Sequence, residues 1–306
     1  FYSESQQNPL REGLQPVVSR DRSHQQPTPA ARHRESCRDS QASLQIGWHS
    51  GQRRRIVAML LRGCWIATAL LLVCESAVAA EIRVAVASNF ANAAAALAHH
   101  FEAISEHQVT LVYGSTGKHY AQIRNGAPFE AFFAADARHP EMLERDGLAV
   151  SGSRFTYAIG RLVLWSPEDG YVDGRGQVLE VGDFRYLAIA NPRLAPYGLA
   201  AQEVLESRGL WENLEQRLVR GENIGQAFQF VKSGNAELGL VALSQVTSPE
   251  SQPETGSRWL VPEGLHTPIR QQAVLLEDSA ATRAFGEFIR SAEARSIIRS
   301  FGYQTP

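Results

Sequence analysis

The sequence predicts an α/β architecture in two lobes, each a mainly parallel sheet flanked by helices, and three observations carry that expectation. Short apolar and β-branched runs alternate with longer segments whose apolar residues recur every three or four positions, the strand, turn, helix pattern of parallel sheets. The segment showing this alternation, residues 81–306, has 226 residues, more than a typical single domain and enough for two lobes of about 100 each. Between two such blocks lies one long apolar stretch, Phe155 to Trp165, able to carry the chain from one lobe to the other. The expected division is 81–162 with 263–306 in the first lobe and 163–262 in the second.

Taken in order, Ile82 to Ala87 reads as the first strand. After Ser88-Asn89, the residues Phe90, Ala93, Ala94, Leu97, Phe101 and Ile104 recur at helical spacing. Val109 to Tyr113 is β-branched and aromatic, hence a strand, and the turn Gly114-Ser115-Thr116-Gly117 leads into an amphipathic helix that includes Tyr120 and Ile123 and ends near Gly126. Ala131 to Ala135 is a buried strand, and Pro140 to Asp146 a helix stopped by Gly147. In the second block Leu187 to Ala190 is a strand, Tyr197 to Ser207 a helix with Gly209 beyond its end, Ile224 to Lys232 a helix, and Leu238 to Ala242 a strand. The polar stretch at 247–257 reads as a linker. Gln272 to Leu276 is then a strand, and two helices occupy 279–300. No repeat of fixed period is visible.

The formal net charge of -2 averages unlike segments. Residues 1–80 hold 10 Lys and Arg against six Asp and Glu, so the remainder carries -6. An acidic body argues against nucleic acid as a partner, because duplex affinity needs phosphates neutralised by a basic face. Cys37, Cys64 and Cys74 all lie in the first 80 residues, so a mature product beginning near Glu81 has neither disulfide nor catalytic thiol. The run Cys64 to Cys74, with Arg62 before it and the small residues Ala77 and Ala79 after it, has the three parts of a secretory signal. A membrane span needs about 20 apolar residues, and Arg62 and Glu75 bracket far fewer. The first methionine is Met59, so 59–80 is expected to be the signal peptide. Residues 1–58, rich in Gln, Arg, Ser and Pro with no apolar period, are expected to be a non-native upstream or disordered segment.

Four junctions leading into helices share one property: they present small, hydroxyl or amide residues and bring no charged side chain to the turn. They are Ser88-Asn89, Ser115-Thr116-Gly117, Ala195-Pro196-Tyr197-Gly198 and Asn223-Ile224-Gly225. Helix N-termini carry free N–H groups and partial positive charge, so several converging on one point form an anion site without any cation. Ligands of open α/β sheets sit outside the carboxyl ends of the strands, where such junctions occur. Ordinary capping explains each junction taken alone; only the conjunction points to function.

Other chemistries find less support. Gly114-Ser-Thr-Gly-Lys118 is too short between its glycines for a phosphate-binding loop and lacks Ser or Thr after the lysine, so Lys118 reads as a solvated first-turn residue. The histidines at 99, 100, 107, 119, 139 and 266 have no metal-ligand spacing, and the first three are expected in solvent. Neither G-x-S-x-G nor H-E-x-x-H is present. Asp136, after AFFAA, suits a helix-cap or turn role better than that of a general base.

The segments VASNFANAAAALA, VYGSTGKHYAQIRNGAPFEAFFAADARHPEML, FTYAIGRLVLW, IANPRLAPYGLAAQEVLESRGLW and NIGQAFQFVKSGNAELGLVALSQV together resemble the periplasmic molybdate-binding proteins of ABC transporters, in that family's order from Ile82 to about Tyr303. The resemblance implies a two-lobed periplasmic binding protein fold of the second topological type, with an oxyanion held in a cleft between the lobes. It implies a non-enzymatic, monomeric periplasmic protein without cofactor or direct protein–metal ligand, which captures molybdate or tungstate for a membrane permease. The donors carried over by motif are Ser88, Asn89, Ser115, Thr116, Tyr197 and the backbone N–H of Ile224. Some members place a tyrosine where this chain has Ala242; here Tyr197 stands on the other loop, as in a subgroup that also carries Asn89. Sulfate or another tetrahedral oxyanion is the alternative ligand that the sequence leaves open, since pocket radius decides it.

Overall fold

In the computed structural model of the protein the described residues are 79–247 and 256–306. The upstream segment 1–58 and all but the last two residues of the expected signal at 59–80 lie outside them, as does most of the expected linker. Among the described residues no helix is long and apolar enough to cross a membrane.

The strands in chain order are β1 (Glu81–Ala87), β2 (Gln108–Gly114), β3 (Ala131–Ala134), β4 (Phe155–Gly160), β5 (Leu162–Ser166), β6 (Leu187–Ala190), β7 (Leu218–Gly221), β8 (Leu238–Ala242), β9 (Ser257–Leu260) and β10 (Ile269–Leu275). The helices of two turns or more are α1 (Ala91–Ile104), α2 (Thr116–Arg124), α3 (Arg138–Arg145), α4 (Pro196–Ser207), α5 (Ile224–Lys232), α6 (Ala280–Arg290) and α7 (Ala292–Ser300). Two five-stranded sheets result, ordered β2-β1-β3-β10-β4 and β7-β6-β8-β5-β9.

β1 pairs in parallel with β2 and β3, and β10 runs antiparallel to β3 and β4. The second sheet repeats the plan: β6 is parallel to β7 and β8, and β5 antiparallel to β8 and β9. Four strands of each sheet therefore point one way and one runs against them, so the sheets are mixed although most strands share a direction. The reversed strand is in each case the first after the chain changes sheets: β5 follows β4 across Arg161 alone, and β10 follows β9 across residues 261–268. The apolar stretch from Phe155 to Trp165 is thus two strands in two sheets, and Leu162, expected as the last residue of the first lobe, pairs with Ala242 in the second sheet. A chain that leaves one sheet at the carboxyl ends of its parallel strands, and enters the next at the corresponding end, must run against its new neighbours. The reversal places both crossings at the cleft side of the two sheets.

Both faces of each sheet are covered, and the alternation along the strands divides the core accordingly. Ile82, Val84 and Val86 of β1 join Phe90, Leu97 and Phe101 on one face, while Ala85 joins Phe132 and Leu143 on the other. In the second sheet Leu162 and Leu164 face one cluster, Val163 and Trp165 the opposite one. Two strands were not legible in the sequence, β7 and β9. Each has four residues, β7 includes Arg220, and both lie at sheet edges, where one unpaired side relaxes the demand for an apolar run.

Phe90, at 0% exposure, ties the first junction to the core of its lobe. Its ring lies 4.6 Å from Tyr157 and 5.4 Å from Tyr303, centroid to centroid, in tilted and edge-on contacts. Phe90→Ala is expected to destabilise the protein by about 3–5 kcal/mol through the cavity left behind, measured by urea denaturation.

Candidate functional site

The four junctions converge where the two sheets face one another. From the first sheet, Ser88 and Asn89 follow β1 and Ser115 to Gly117 follow β2; from the second, Ala195 to Gly198 open α4 and Asn223 to Gly225 open α5. The Ser88 hydroxyl donates to Asn223 Oδ1 at 3.1 Å and accepts from the Gly225 N–H at 3.1 Å, joining the first junction to the fourth. The Gly117 N–H donates to the Leu194 carbonyl at 2.9 Å, joining the second to the third. Asn223 also caps its own helix, accepting from Gln226 N–H at 2.9 Å. Ala87 and Ala135 of the first sheet share one apolar cluster with Tyr197 and Ile224 of the second. Outside these contacts Lys118 pairs with Glu222 across the lobes at 2.7 Å; both side chains are more than half exposed, so the pair contributes little stability. The described conformation is one in which the lobes are closed on each other.

Five of the six donors expected from sequence are buried: Asn89, Ser115, Thr116, Tyr197 and Ile224 are each 4% exposed or less, and Ser88 is half-buried. Their hydrogen bonds differ. Thr116 Oγ1 accepts from the Ala135 N–H at 2.9 Å, which leaves its own proton to give. Ser115 Oγ is buried with no partner among the described residues. Ile224 is the first residue of α5, so its N–H has no carbonyl within the helix to reach. Asn89 gives its amide protons to Gln271 Oε1 at 2.7 Å and Tyr303 Oη at 3.1 Å, and its own Oδ1 is buried without a partner. Tyr197 Oη accepts from Gln271 Nε2 at 3.4 Å.

Four residues that the sequence reading did not single out complete this network. Tyr157 Oη reaches Gln271 Oε1 at 3.1 Å and the Ala134 carbonyl at 3.0 Å. Tyr303 Oη donates to the Asn89 carbonyl at 2.7 Å, and Ser244, from the second lobe, donates to the same carbonyl at 2.9 Å. Gln271 is fully buried in β10. Its strand reads IRQQAVL, so a glutamine between Arg270 and Gln272 does not announce its burial. Ser244 and Tyr303 are no more conspicuous, since each looks like an ordinary surface residue until the lobes meet.

The side chains of this network are uncharged, although, in addition to burial, the nearby Asp136 carboxylate helps to raise the Tyr157 pKa. Burial raises the phenol pKa of Tyr157, Tyr197 and Tyr303 above the ordinary range, and the charge of Tyr303 would add to the effect on the other two, so all three hold their protons. Under the second junction, His119 is 2% exposed, with Nε2 on the Val86 carbonyl at 3.2 Å and Nδ1 by Gln122 at 3.1 Å; burial lowers its pKa and favours the uncharged ring. Asp136 lies aside, its carboxylate held by the N–H and Nδ1 of His139 at 3.1 and 2.7 Å in the first turn of α3, a turn role. Among the described residues no three His, Cys, Asp or Glu side chains converge to hold a metal ion. His99 is exposed as expected, but His100 and His107 are only half exposed, stacked on Phe288 and Phe101, because each flat ring covers an aromatic neighbour at the rim of the core.

Two open grooves flank the buried site. One, of about 440 Å³, includes Ala135, Ala195 and Pro196; the other, of about 410 Å³, includes Ser88, Asn89 and Gly225. The second groove holds Ser88 and Asn89, the first none of the six expected donors.

Comparison with known proteins gives a consistent set of relatives. A family model described as bacterial extracellular solute-binding protein matches residues 82–304. The molybdate-binding protein ModA of Azotobacter vinelandii is 50% identical over 236 residues, covering 76% of this chain and 93% of that protein. ModA of Rhodobacter capsulatus is 46% identical, covering 78% and 95% respectively. The solved periplasmic molybdate-binding protein of Azotobacter vinelandii superimposes with a TM-score of 0.71 at 42% identity, over 74% of this chain and 99% of that one. The sulfate-binding protein SubI of Mycobacterium tuberculosis, at 14% identity and a TM-score of 0.60, shares the fold.

Gly160 makes the position of Tyr197 possible: a Cβ there would lie 2.1 Å from the Tyr197 hydroxyl and 2.8 Å from Gln271 Nε2. Tyr197 is 1% exposed and cannot swing aside. Gly160→Ala is therefore expected to cost about 1–3 kcal/mol of stability by overpacking, read as a lower urea midpoint.

Proposed function

The chain belongs to the bacterial extracellular solute-binding protein family, and from that premise we propose that it captures molybdate, and tungstate, between its lobes and delivers the anion to the membrane permease of an ABC transporter. The observation that carries the reading is the convergence of four uncharged junctions on one buried site, with a partnerless Ser115 hydroxyl and first-turn amides inside it. Relatives at 46–50% identity that bear the name molybdate-binding protein support the choice of ligand. On this reading the protein is a monomeric binding protein, not an enzyme, needs no resident cofactor and works in the periplasm after removal of its signal.

The proposed donors are Ser88, Asn89, Ser115, Thr116, Tyr197 and the Ile224 N–H. Molybdate is a tetrahedral dianion that must shed water to enter, and fixed donors replace that water. Hydrogen bonds to a charged group contribute about 1.5–3 kcal/mol each, and helix ends about 0.3–1 kcal/mol. About six such bonds offset desolvation and leave sub-micromolar affinity. Ser88 must turn its hydroxyl from Asn223, and Asn89 must release an amide proton from Gln271 or Tyr303, to join them. A site of protonated hydroxyls and N–H groups, with no carboxylate, favours fully ionised anions over those carrying a hydroxyl.

Thermal unfolding in the presence of molybdate, tungstate, sulfate and phosphate tests the proposal. Ligand at ~1,000 times its dissociation constant adds about 4 kcal/mol of stability, which raises Tm by several degrees. Molybdate and tungstate are expected to produce the shift and phosphate none; no shift with either metal oxyanion would overturn the assignment.

A further inference from the structure

Two covalent crossings join the lobes, Arg161 between β4 and β5 and residues 261–268 between β9 and β10. A third connection lies beside them and is not covalent. The chain end after α7 returns to the first crossing: Ile159 and Gln304 exchange both backbone hydrogen bonds, at 2.7 and 3.1 Å, two residues before Arg161. The Arg161 side chain meets Glu263 of the second crossing at 3.3 Å, and Gln304 Nε2 donates to the same carboxylate at 3.4 Å. The tail is thus fixed to both crossings, with Tyr303 buried among the aromatic rings of the first lobe.

From the second lobe, the turn after β8 comes to meet this tail. Ala242 pairs with Leu162, the first residue past the crossing, and the Leu243 N–H donates to the Arg161 carbonyl at 2.9 Å. Leu243 packs over Gly302, where φ is +82° and an added Cβ would lie 3.2 Å from the leucine side chain. Ser244, 4% exposed, then gives its proton to the Asn89 carbonyl at 2.9 Å. The single Tyr303 proton is shared between Ser244 Oγ at 2.8 Å and the Asn89 carbonyl at 2.7 Å. Asn89 belongs to a junction that faces the cleft, so opening of the lobes carries its carbonyl away from Ser244. A hydroxyl bond of 2.9 Å is lost beyond about 3.5 Å.

We propose that residues 302–304 and Ser244 form a strap that holds the lobes in the closed arrangement before any ligand is bound. A contact made only in the closed arrangement raises the closed population, and so lowers the concentration of ligand needed to fill the cleft. The inference goes beyond the oxyanion reading and does not rest on it: the strap takes from the first junction only a backbone carbonyl, and acts whichever ligand the cleft accepts.

The test is residue-resolved amide exchange, by NMR, of the protein without ligand. The reporters are the N–H groups of Gly117 and Gly225, bonded across the cleft to the Leu194 carbonyl at 2.9 Å and to Ser88 Oγ at 3.1 Å. Both sit in the first turn of a helix, which offers them no acceptor of its own, so closure is what protects them. Ser244→Ala removes the second lobe's member of the strap and leaves the Asn89 carbonyl bonded to Tyr303. Exchange at Gly117 and Gly225 is expected to quicken together by about two- to tenfold, the effect of losing one ordinary hydrogen bond, while amides inside β1 and β8 keep their rates. Three results overturn the strap: Gly117 and Gly225 unprotected in the unsubstituted protein, protection at both unchanged in the variant, or a rise at β1 and β8 equal to that at the reporters, which means loss of the fold as a whole. Molybdate affinity enters none of these readouts, so failure of the strap and failure of the oxyanion reading are told apart.

Discussion

A dianion can be held without a cation only where many fixed dipoles point inward at a place that water does not fill, and this requirement explains why the two sheets are built as they are. Both present the carboxyl ends of their parallel strands to a common cleft, so helix N-termini from each lobe face one another. The same constraint accounts for the single reversed strand in each sheet. β5 and β10 arrive from the opposite lobe at the cleft side and have no other direction in which to run. Closure is then a matter of small residues: Gly225 meets Ser88 through its N–H, and Gly117 meets the Leu194 carbonyl.

The electrostatics of the site are opposite in character to those of the surface. Outside, the protein is acidic after residue 80 and its interlobe ion pair is solvated. Inside, three phenols keep their protons, and neither Asp136 nor Lys118 enters the network of Asn89, Gln271 and Tyr197. Long-range attraction therefore supplies no selectivity, which rests on local geometry: which hydroxyls have a proton left, and which amides are already engaged. The aromatic cluster of Phe90, Tyr157 and Tyr303 connects that geometry to the core, since the ring that anchors the first junction touches two of the hydroxyl-bearing rings.

Much of the fold was legible because buried strands and amphipathic helices leave strong periodic patterns, and Leu187–Ala190, Ile224–Lys232 and Leu238–Ala242 fall at the residues expected. β7 and β9 were not, since a four-residue edge strand need not be apolar. The junctions were visible as uncharged turns, and the structure brings all four together. What sequence reading could not supply is the condition of each donor. That Ser88 faces Asn223, that Thr116 already holds Ala135, and that Gln271 links Asn89 to Tyr197 depend on contacts between residues as many as 182 positions apart. Tyr303 and Ser244 were missed for the same reason.

The central claim is that an oxyanion is bound by neutral donors under the closed lobes, and a crystal structure of the protein with molybdate tests it most directly. The account predicts molybdate oxygens within hydrogen-bond distance of Ser115, the Ile224 N–H and at least one of Asn89 and Tyr197, with no Arg or Lys side chain in contact. An anion bound instead in either flanking groove, or held by an arginine such as Arg138, Arg193 or Arg270 at the rim of the larger one, would contradict it.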